Sequence, residues 1–109
     1  MKTAIGLAVL IFTLSLNGWA QEIDYDKRNM HIFCTAHLTI MSESLDGGGE
    51  QTDALAYLSN MHRDEAGKLG ATREHFEDVS GYLDKIRRDN QQKWKQLSYQ
   101  SKQVCLPDA

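Results

Sequence analysis

The sequence predicts an all-α fold, a small helical bundle of three to four helices closed by one disulfide. Three observations carry this. The chain has a single proline, Pro107, and no sustained alternation of β-branched residues marks a strand. Apolar residues recur instead at steps of three and four, the period of a helix with one buried face. The only two cysteines, Cys34 and Cys105, bracket most of that pattern.

Residues 1–20 read as a signal peptide. Lys2 supplies the positive end, Ala4 to Leu16 is an uncharged apolar run, and Gly18 and Ala20 are small residues where a signal peptidase cuts. The run is short for a membrane span, and no second one comes after it. Cleavage before Gln21 leaves residues 21–109 as a single domain, exported to the periplasm or secreted. A domain of that size has a thin core and needs a staple. In an oxidising compartment the cysteine pair supplies it. Closing a loop of about 70 residues contributes roughly 4 kcal/mol in the chain-entropy picture. The formal charge is −3, one unit more negative once Lys2 is removed, which is no signature of a nucleic-acid binder.

The first helix is expected from Asp24 or Asp26, either of which can cap it, to about Ser44. Met30, Phe33, Cys34, His37, Ile40, Met41 and Leu45 make one stripe, and Ile32 and Leu38 widen it, so this helix should be buried on more than one side. Asp46-Gly47-Gly48-Gly49 ends it. A second helix runs from Glu50 or Gln51 to about Leu69, with Leu55, Leu58, Met61, His62, Ala66 and Leu69 inward and Gly70 as its stop.

Thr72 caps the next helical stretch. Phe76, Val79, Leu83, Ile86, Trp94, Leu97 and Val104 then keep a near-heptad rhythm without a strong breaker, which by itself reads as one helix from Thr72 to about Val104. Such a rod would be about 50 Å long against roughly 30 Å for the first helix. Its end would overshoot Cys34, whereas a disulfide needs Cα atoms within about 7 Å. The conflict vanishes if the helix breaks near Asp89-Asn90 and the last segment returns antiparallel, giving four helices. Three helices with Cys105 paired between chains is the alternative.

Few constellations suggest chemistry. Cys34 and His37 lie three apart on one helical face, the spacing of a thiolate–imidazole pair in a cysteine-dependent redox protein. An even cysteine count in an exported chain favours a disulfide half beside a buried histidine. Cys34-Thr35-Ala36-His37 lacks the second cysteine of covalent haem attachment. His37, Met41 and His62 offer an imidazole–thioether set suited to copper or haem iron, although methionines at helical spacing are usually core filler. Neighbouring carboxylates such as Asp64-Glu65 point apart on a helix, and no phosphate loop, zinc spacing or serine triad is present. No catalysis and no cofactor are expected.

Charge is unevenly spread. Glu43 to Asp84 holds ten acids and three bases, whereas Lys85 to Lys102 holds six bases and one acid. Arg87, Arg88, Lys93, Trp94 and Lys95 form a basic, aromatic stretch that could dock a protein or an anionic surface, phospholipid or wall polymer. The competing explanation is structural: bases late in a long helix complement its dipole, and the rest pair with the acidic second helix. The expectation is a small exported binding module, with a copper or haem binder and a redox protein as the other readings.

Overall fold

The computed structural model describes residues 22–45 and 49–107. The expected signal peptide and the turn at Asp46–Gly48 lie outside them. The described residues form four helices and no strand: α1 (Tyr25–Ser44), α2 (Glu50–Lys68), α3 (Arg73–Asp89) and α4 (Gln91–Val104). No helix among them is long and apolar enough to cross a membrane.

Each boundary has a local cause. Asp24 caps α1, its carboxylate accepting from the Lys27 amide at 3.0 Å. The end of α2 is a Schellman turn. Gly70 (φ +93°) donates to Gly67 O and Ala71 donates to Ala66 O, both at 3.0 Å. Thr72 opens α3 with a capping box in which His75 takes the place usually held by Glu: the Thr72 amide donates to His75 Nδ1 at 2.9 Å. His75 is therefore half-buried at a cap.

The break between α3 and α4 is a single residue. The Asn90 amide donates to Ile86 O at 2.8 Å and closes α3, while Asn90 Oδ1 accepts from the Lys93 amide at 3.1 Å and opens α4. A short amide side chain that can serve a new helix start is what makes this position the break.

Helix α1 is the hub. α2, α3 and α4 all lie against it, while the backbones of α2 and α3 stay apart, bridged by the Arg63 guanidinium 5.8 Å from the Phe76 ring. Burial reflects this. His31, Ile32, Cys34 to Leu38 and Ile40 are all buried, so α1 is enclosed nearly all round. Ile32, Ala36 and Leu38 are deeper than Met41 and Leu45, which lie at half-exposed positions. Met61, expected inside α2, is 43 % exposed.

Cys34 and Cys105 are joined, with Cα atoms 5.4 Å apart and a separation of 71 positions along the chain. The bond is the centre of one apolar cluster with Leu38, covered by Met30, Phe33, Leu55, Leu58 and Leu106. A second cluster, Ala36, Ile40 and Leu83, is covered by Val79, Trp94 and Leu97 and ties α1 to α3 and α4. The bundle is closed within one chain.

Candidate functional site

Two sets of side chains merit a functional reading, the buried histidines around α1 and the cationic surface of α4.

His31 and His62 meet between α1 and α2 with Nδ1 atoms 2.9 Å apart, 8 % and 7 % exposed. The geometry fixes one proton. Cys105 O, 2.7 Å from His62 Nε2, can only accept, so Nε2 carries a hydrogen. Across the 2.9 Å gap one of the two Nδ1 atoms donates to the other. Burial, reinforced by the neighbouring His62 ring, holds the His31 pKa below its ordinary value, while Glu65 pulls it the other way. The chain from α1 through His62 ends on the carbonyl of the disulfide cysteine.

His37 lies on another side of α1. It stacks on Trp94 with centroids 4.8 Å apart, and its Nε2 is 3.1 Å from Ser98 Oγ. Its Nδ1 is buried without a partner, and burial pushes its pKa down to about 4. At neutral pH the ring is uncharged.

The candidate ligand trio is spread over this layout. His37 and Met41 border a small cavity between α1, α2 and α4, whereas both nitrogens of His62 are taken by His31 and Cys105. Among the described residues no group of three His, Cys, Asp or Glu side chains is placed to hold a metal ion. Cys34 and His37, adjacent in sequence terms, also have separate partners. The thiol is in the disulfide, fully buried, and the imidazole turns to Ser98 and Trp94.

The basic stretch divides as well. Trp94 is half-buried in the core as the stacking partner of His37. Arg87 and Arg88 both turn to Asp84, at 2.7 and 3.5 Å, and the Arg87 hydrogen bond holds the Asp84 carboxyl below its usual range. Lys93 and Lys95 are exposed and take part in no salt bridge among the described residues; the Lys93 ammonium stands 5.9 Å from the centroid of exposed Tyr82. Helix α4 contains no acidic residue at all. Tyr99, four residues beyond Lys95, is 65 % exposed on the same face.

The cavity beside His37 measures about 130 Å³. Leu38, Met41, Leu55 and Leu106 supply its apolar wall, and Lys102 is the charged residue at its edge. Sequence periodicity could not find it, because its lining is drawn from three helices and the tail after the last. The same holds for the His31–His62 bond, since the pattern of each helix marks a face without naming the partner across it. No family model, curated protein or solved structure matches the chain.

Proposed function

We propose that the protein is an exported, non-catalytic binding module that docks a surface of fixed negative charge through the α3–α4 elbow. One observation carries the reading: the break at Asn90 puts Lys93 and Lys95 in the opening turns of a new helix. In an unbroken helix they would lie toward its C-terminal end, where the macrodipole favours cations. At the start of α4 the positive end of the dipole opposes them. No acid in α4 offsets this, and the backbone of α2, the acidic helix, stays apart from that of α4. An external anion would give these lysines the counter-charge that no salt bridge among the described residues provides.

The surroundings suit such a task. Tyr82 and Tyr99 add exposed aromatic surface near the lysines, of the kind that settles at a membrane–water interface. Asn90 at one end and the disulfide at the other hold α4 in place, so little ordering is needed on contact.

The test uses vesicles of phosphatidylglycerol mixed with phosphatidylcholine. The protein should bind them at low ionic strength and release as salt rises through the range that screens surface charge. Lys93→Glu with Lys95→Glu should weaken binding at least tenfold, since each basic residue near an anionic bilayer contributes about 1 kcal/mol and reversal adds repulsion. Binding unchanged by the double substitution, or equal on pure phosphatidylcholine, would overturn the reading.

A further inference from the structure

The cavity between α1, α2 and α4 is separate from the elbow and uses different residues. Its wall is Leu38 and Met41 from α1, Leu55 from α2 and Leu106 from the tail. Its polar edge is formed by Gln51, Ser98, Ser101 and Lys102. Lys102 is exposed and forms no salt bridge among the described residues. An apolar hollow with one cation at its rim is complementary to a molecule with a carbon tail and a single negative head.

Size sets the tail. At about 130 Å³ the hollow is slightly smaller than the roughly 150 Å³ cavity that holds a benzene ring, so about six carbons fill it. Met41, unbranched and half-exposed at the wall, can shift to admit a chain. His37 borders the hollow as a neutral ring, so it adds no second charge. The disulfide at Cys105 holds Leu106 against the opening, which keeps the wall formed without a ligand.

We propose that this cavity binds a short-chain aliphatic carboxylate of about six carbons, tail inward and carboxylate on Lys102. The occupant is a free monocarboxylate; a membrane lipid chain is too long for the hollow. With so short a tail and a single exposed charge contact, the expected Kd is on the order of 1 mM.

Hexanoate is the probe, titrated into the whole protein and followed by amide NMR shifts. Shifts should saturate with a Kd on the order of 1 mM and centre on Met41, Leu55, Ser98 and Leu106. Acetate, with the head and no tail, should shift none of these. Lys102→Gln, a surface change that spares the fold, should weaken hexanoate about fivefold and leave hexanol unchanged. Leu55→Trp should fill the hollow and abolish both. If its spectrum shows misfolding, Met41→Phe serves the same purpose at a half-exposed position. Hexanoate that gives no saturable shifts, or that binds Lys102→Gln and wild type alike, would overturn the proposal. The cavity-filled variant should still bind phosphatidylglycerol vesicles, and the Lys93→Glu/Lys95→Glu protein should still bind hexanoate, so the two sites fail separately.

Discussion

Helix α1 is held from two sides by different physics. Against α2 the contact is layered with hydrogen bonds. His31 meets His62, Ser59 Oγ donates to Thr35 O at 2.9 Å and lies 2.6 Å from Thr39 Oγ1, and Ser42 Oγ donates to Thr52 O at 3.2 Å. Against α3 the contact is carbon: Ala36, Ile40, Leu83 and Val79. The polar side fixes register, because a slip by one residue strands buried donors and acceptors. The apolar side contributes burial that tolerates adjustment and ignores pH. The difference predicts how each side responds to damage.

The largest effect is expected on the carbon side. Leu83 is 1 % exposed, and Leu83→Ala should cost about 3 kcal/mol, the usual range for an aliphatic side chain removed from a core. Urea unfolding at pH 7.5 and pH 5 should give the same loss. A loss that changes with pH would show that the two sides are coupled.

Acid should act through the histidines. A His pKa lowered in the fold means that the unfolded chain takes up protons first. The stability conferred by neutral His37 is complete above pH 6.5 and is lost as pH falls toward about 4, a total of about 3 kcal/mol. His31 acts in the same direction. The urea midpoint should fall through that window, and His37→Phe should flatten much of the slope. A midpoint indifferent to pH would refute the burial of His37.

A smaller effect is expected from His31→Phe, which leaves His62 Nδ1 without its partner. The cost at pH 7.5 should be about 2 kcal/mol, that of an unsatisfied buried polar atom. Below pH 6.5 the gap between wild type and variant should narrow, because the variant has no His31 to protonate. A gap that stays constant would mean that the His31–His62 bond carries no share of the pH response.

The same contrast explains which features were legible in the sequence. Helix ends were legible because their causes are local: Asp24, Thr72 and Gly70 cap or stop helices through their own backbone neighbours. The break at Asn90 needed the non-local requirement that Cys105 reach Cys34. The apolar side of α1 was legible in outline, since Ile40 and Leu83 obey the helical period. The polar side was not. Thr35 and Ser59 read as ordinary surface residues by type, yet both are buried: Thr35 Oγ1 donates back to His31 O in its own helix, and Ser59 Oγ reaches across to Thr35 O. Trp94 was legible both as a member of the apolar rhythm and as an aromatic in a basic stretch, but its stacking partner His37 lies on another helix that the rhythm does not name.

Asn90 and Cys105 have one more consequence. They moor α4 at its two ends, and the moorings differ in kind: the first is an uninterrupted peptide, the second a bond that a thiol can open. Neither sulfur is open to solvent, Cys34 being 0 % and Cys105 3 % exposed, so an attacking thiolate must wait for the bundle to breathe. Once cut, the segment would swing from Asn90, carrying Lys93 and Lys95 away from their places beside α3. The placement of α4 is thereby tied to the balance of thiol and oxidant around the molecule, through a clasp that yields slowly.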